Sequence, residues 1–279
     1  MHKDTKWAQQ IISLQDEEGK WGYFHTLFFD SKSPFTTEKA LKRLEILGYT
    51  IEDKCIKNAV SYMNDCLVGI KEIPDKREQL HDWDIFTSLL LAAWIRRFTT
   101  NNESANEVAQ KWANVITMAF RDGEYNHQEY IKAFHEVLGM KPEGGRLVDF
   151  VNFYGVSIIN GYLDPKTEKA VIKYIINKTD GIYYTYEKCI RELPQDFQSK
   201  YASWYLGSIE LIAGYKTAKK ELQFVVDWLK SNMKENGRWD MGRDSKDGVY
   251  FPLSNDWRKK ETREADCTER ISRLLSKIS

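Results

Sequence analysis

Glycine punctuates this chain at recurring positions, and those positions limit what it can fold into. GlyTyr recurs at Gly48 and Tyr49, Gly161 and Tyr162, and Gly214 and Tyr215, while a GlyX(Trp/Tyr) turn recurs at Gly19, Gly123, Gly181 and Gly237. Two interleaved markers of this kind predict consecutive helical hairpins stacked in a ring, because each hairpin is a unit that cannot bury its own apolar face alone.

Hydrophobic periodicity assigns the two helices of each hairpin. One set has a single apolar stripe at 3.6-residue spacing, as in Val108, Trp112, Val115 and Ala119 or Leu222, Val225, Val226 and Leu229. These outer helices are expected at residues 4–15, 52–66, 105–120, 166–178 and 217–234. The other set is apolar on most sides and therefore interior, expected at 34–47, 83–98, 147–160, 198–213 and 266–278. Ser33 before Pro34 and Asp164 before Pro165 read as helix starts, and 126–138, closing at Gly139, as an additional amphipathic helix. The expected fold class is all-α, an alpha/alpha toroid of about five to six helical hairpins, in one domain spanning residues 1–279.

Connections from inner to outer helices are short, whereas those from outer to inner helices, at 16–33, 67–82, 179–197 and 235–262, are long, aromatic and charged. Long ordered connections in compact folds usually carry function, so any site is expected on their side of the ring.

Composition removes several classes of function. Forty-one basic and forty-one acidic residues leave no net charge to draw the chain to nucleic acid or anionic lipid. Charges and amides interrupt every apolar stretch of the first fifteen residues, so no signal peptide, no membrane span and a cytoplasmic location are expected. Cys55, Cys66, Cys189 and Cys267 lie far apart without CxxC spacing, and His2, His25, His81, His127 and His135 show no HxxxH or HxH pattern, so no metal is expected. His25 and His81 fall in long connections, where either can serve as a base or be merely solvated. No P-loop, GxGxxG or GxSxG is present, no cofactor is expected, and Gly144–Gly145 reads as a turn.

Gln15, Gly19 and Trp21 in LQDEEGKW match the QxxxGxW turn of squalene and oxidosqualene cyclases, and the repeat plan resembles protein prenyltransferase beta subunits. ADCTER, from Ala265 to Arg270, resembles the DCTAE segment that carries the cyclase acid. The resemblance implies an isoprenoid-like, amphipathic or anionic small molecule in a central cavity, with Asp266 as catalytic acid. This chain departs in having Arg270 where the segment has glutamate and in lacking DxDD and DDxxD; Asp266 and Cys267 are adjacent where the prenyltransferases have AspXCys. Asp266 with Glu269 three residues on also reads as a capping box. The same turns resemble toroidal glycoside hydrolases and polysaccharide lyases, whose chemistry uses paired acids, for which Asp82, Asp84, Asp149, Asp240 and Asp266 are available. A non-catalytic toroid that binds a peptide or protein is a third alternative.

The connection 235–262 and the residues after it concentrate Arg238, Trp239, Asp240, Arg243, Trp257, Arg258 and Arg263, a set suited to an anionic organic ligand or to an internal ion-pair lock. Among interior aromatics, Trp83, Tyr201 and Trp204 are candidates to line a ligand cavity, with plain core packing as the other reading.

Overall fold

A computed structural model describes residues 2–77, 82–142 and 149–279. His81, Gly144 and Gly145 lie outside the described residues, as does the beginning of the expected inner helix at 147–160. The described residues are all-helical, with twelve α-helices, one 3-10 turn and no strand beyond two isolated bridges. In order these are α1 (Lys6–Ser13), α2 (Thr37–Ile46), α3 (Lys54–Leu67), α4 (Trp83–Phe98), α5 (Glu103–Ala119) and α6 (His127–Leu138). They continue as α7 (Phe153–Ile158), α8 (Pro165–Asn177), α9 (Lys200–Ile212), α10 (Ala218–Glu221), α11 (Gln223–Ser231) and α12 (Lys260–Ile278).

The chain forms two compact units, Met1–Ala109 and Gln110–Ser279. In the first, α1 packs with α2 and α3 with α4; in the second, α7 packs with α9, α8 with α10, and α10 and α11 with α12. The difference between helix types is present in the burial. Helix α8 buries the stripe Val171, Ile172, Ile175 and Ile176, whereas α4 buries every residue from Leu89 to Ile95. Each fully buried Leu or Ile contributes roughly 1.5–3 kcal/mol, so α4 is a main anchor of the first unit.

Glycine closes the turns as the repeats require. At Gly19, Gly123, Gly181 and Gly237 φ is positive, and each N–H donates to the carbonyl three residues back, at 3.1, 2.8, 3.1 and 2.9 Å. The first and last of these turns share a further arrangement. The Trp21 indole N–H donates to the Ile11 carbonyl at 2.6 Å and the Trp239 indole N–H to the Leu229 carbonyl at 2.6 Å, each ten residues upstream. Their backbone N–H groups donate to the Thr37 and Thr268 hydroxyls on α2 and α12, at 2.9 and 3.1 Å. Each of these two turns therefore joins the end of one helix to a threonine of the next.

Several expectations need correction. The cap of α2 is Thr36, not Ser33, whose hydroxyl instead accepts from the Phe35 N–H at 3.2 Å. Gly48 and Gly161 take positive φ, but Gly214 does not; a Cβ there would lie 2.5 Å from the Asn160 side chain, so Gly214 serves close approach rather than chain reversal. The outer helix expected at 217–234 is interrupted at Leu222 into α10 and α11. Helix α12 begins at Lys260 rather than 266, because KETREA is rich in strong helix formers. Asp266 consequently sits inside the helix and is not its cap, and Glu269 pairs with Arg273 rather than completing a capping box.

Thr37→Val leaves the buried Trp21 N–H without an acceptor and should cost roughly 1–3 kcal/mol. A lower urea midpoint at unchanged slope is the expected reading, with Thr37→Ser recovering most of the loss.

Candidate functional site

The second unit shows what the charged connection 235–262 does. Asp240 is 6% exposed and receives Arg263 through two hydrogen bonds, Nε at 2.6 Å and Nη2 at 2.9 Å. Lys234 adds a contact to Asp240 at 3.3 Å and one to Glu264 at 2.5 Å, and the Gly242 N–H donates to Asp240 at 2.9 Å. Burial by itself would push the Asp240 carboxyl up, but Arg263, the Gly242 N–H and Lys234 outweigh it and hold the group down at about 2. Lys234 likewise lowers Glu264. Asp240 and Arg263, both expected as ligand contacts, thus form a lock between the turn and α12. Trp239 is buried in its turn, and Trp257 is buried and stacked on Phe251 at 5.2 Å. Arg238, Arg243 and Arg258 are exposed, and their side chains make no ion pair among the described residues.

Asp266 is 1% exposed. One carboxylate oxygen accepts from the Leu253 and Ser254 N–H groups at 2.8 and 2.9 Å, the other from the Ser254 hydroxyl at 2.5 Å, so the residue fastens the connection to α12. The neighbouring Cys267 thiol is fully buried and pushed up to about 12, chiefly by that burial, which makes it a poor thiolate. Arg270, where the cyclase-like segment has glutamate, is a buried anchor. It bonds Glu210 at 2.7 and 3.0 Å and the Ser203 hydroxyl and carbonyl at 2.9 Å each, with its guanidinium 4.4 Å from the Tyr250 ring centre.

In the first unit, residues 66–77 meet the start of α4 around an open cleft of about 410 Å³. Trp83 and Asp84 line it together with Lys71, Glu72, Asp75 and Arg77. Asp82 stands at the helix start and accepts from the Ile85 N–H at 2.8 Å, which makes it the cap of α4. Asp84 is exposed and pairs with Arg77 at 3.2 Å, and Lys71 pairs with Asp65 at 3.1 Å. The first pair is open to solvent and the second half-buried, and ion pairs so placed add little stability, so both cations can exchange partners. Asp75 is committed to structure: its carboxylate accepts from the N–H groups of Phe24, His25 and Thr26 at 2.5, 2.9 and 2.8 Å. That clamp sets His25 beside Glu38, with Nδ1 2.6 Å from one oxygen while the Trp94 indole donates to the other at 2.7 Å.

The remaining interior aromatics divide. Trp83 is half-buried, 6.0 Å from Phe86, whereas Tyr201 is exposed with Trp204 edge-on at 5.4 Å. Asp149 pairs with Lys178 at 2.8 Å. Among the described residues no three His, Cys, Asp or Glu side chains are grouped to share a metal ion, and no helix is long and apolar enough to cross a membrane. The residues that the sequence left out, Lys71, Glu72, Asp75 and Arg77, all belong to the long connection expected before α4. Nothing local singles them out, since Asp75 meets its partners across about fifty positions. No protein-family model matches the chain, and comparison with curated proteins and with solved structures gave no significant match.

Two substitutions separate lock from catalyst. Asp266→Asn places an amide against N–H donors and should cost on the order of 2–4 kcal/mol in chemical denaturation. For Asp240 the folded carboxyl lies below the ordinary value of 3.8, so its contribution is present above pH ~4 and is lost as pH falls toward ~2. That contribution is on the order of 2 kcal/mol. Asp240→Asn should flatten stability against pH in this window.

Proposed function

We propose that the chain binds a small, hydroxyl-rich organic anion of the uronide kind in the cleft at the start of α4. The observation that supports this is the convergence of Lys71, Arg77, Trp83, Glu72 and Asp84 on one open cleft of about 410 Å³. A uronide has one carboxylate and many hydroxyls around a ring with an apolar face. Arg77 and Lys71 answer the carboxylate, Glu72 and Asp84 accept from hydroxyls, and the half-buried Trp83 offers a flat surface for stacking. A prenyl diphosphate fits this lining less well, because its tail asks for an apolar channel and its phosphates for cations free of acidic neighbours.

The architecture carried by this reading is the ring of helical hairpins, of the kind resembling prenyltransferase, terpene-cyclase and carbohydrate-active toroids. In a carbohydrate-active version Glu72 and Asp84 supply the two acids that sugar chemistry commonly requires. The isoprenoid version would draw on Arg238, Arg243 and Arg258, which are exposed, while Asp240, Arg263 and Asp266 are engaged in the lock.

Isothermal titration with a digalacturonide and with farnesyl diphosphate tests the proposal. The digalacturonide should bind, and Trp83→Ala and Arg77→Met should each weaken it about tenfold, or ~1.4 kcal/mol. Binding of farnesyl diphosphate alone, or uronide binding that ignores both substitutions, would overturn it.

A further inference from the structure

In the second unit, connection 179–197 meets the start of α9 around another open cleft, of about 650 Å³. Tyr186 lines it while only 5% exposed, its ring held edge-on to Tyr205 at 5.3 Å. No described residue supplies a hydrogen-bond partner for its hydroxyl, and the cleft is the open space beside it. Burial and the nearby Glu192 carboxylate raise the phenol's pKa, so the proton stays on oxygen and the group offers a donor. On the wall, Tyr201 is 53% exposed, with the Lys188 ammonium 4.4 Å from its ring centre.

The remaining polar lining is balanced. Lys188 and the Gln195 amide add donors, and Glu192 and Asp196 are acceptors, Asp196 sharing one oxygen with the Gln198 N–H at 2.8 Å. An anionic ligand would face two carboxylates. A cation would face Lys188 and the positive end of the thirteen-residue helix α9. Donors and acceptors in balance beside an exposed aromatic ring suit a neutral ring bearing several hydroxyls. We propose that this cleft is a binding site for a neutral sugar, held by the Tyr186 hydroxyl and stacked on Tyr201. It is independent of the uronide reading, since it uses other residues and another class of ligand.

Saturation-transfer NMR on the full chain with maltose, cellobiose and N,N′-diacetylchitobiose, the last also as a glycopeptide, provides the test. At least one probe should receive saturation, the glycopeptide arm distinguishing free sugar from protein-attached glycan. Tyr201→Ala and Tyr186→Phe should each weaken binding about tenfold. Tyr201 is exposed, so its replacement should leave the melting temperature unchanged. Absence of transfer from every probe, or transfer undiminished in both tyrosine variants, would overturn the proposal.

Discussion

Burying an indole N–H without an acceptor is costly, and in this protein Trp21 and Trp239 each find one in a carbonyl at the end of the preceding helix, Ile11 and Leu229. Each carbonyl also accepts a backbone N–H of its helix's last turn, from Leu14 at 3.1 Å and from Asn232 at 3.2 Å, so the indole occupies the second acceptor position of the oxygen. A threonine hydroxyl on the next helix then takes the tryptophan's backbone N–H. These bonds fix helix, turn and following helix relative to one another, and the rest of each long connection runs from that turn. What the connection can carry follows from that fixed frame.

The long connections are held by single carboxylates that gather backbone N–H groups. Asp75 takes residues 24–26, Asp247 takes 249–251 together with the Ser203 hydroxyl, and Asp266 takes Leu253 and Ser254. A charge-assisted bond to several amides is stronger than neutral ones, and it orders a segment that has no helix to pair its backbone. Acids in such work resemble site residues in sequence, because both are isolated aspartates in or beside the long connections. Their environments tell them apart: Asp266 is enclosed and fully engaged, whereas Asp84 is open to solvent with an exchangeable partner.

Much of the helical pattern was legible from period and punctuation. The one-sided stripe of α8 and the all-round burial of α4 follow from where apolar residues recur. Asp164–Pro165 and Gly139 mark a helix start and a helix end as their local chemistry requires. The start of α12 was missed because residues such as Arg263 and Glu264 were read as loop charges although they favour helix. Half of the first cleft was legible, since Trp83 and Asp84 open an interior helix. Asp75 was not, because its purpose depends on residues 24–26, which only folding brings to it.

By itself the sequence determined most of the local geometry: where most helices lie, which face each one buries, and, Gly214 apart, where glycine lets the chain reverse. These depend on interactions within a few residues, and spacing records them directly. Tertiary structure decided the use of each charged group. Arg263 and Arg258 are alike as letters, yet one is locked onto Asp240 and the other stands in solvent. The difference lies in desolvation and in partners distant along the chain, which no local pattern encodes.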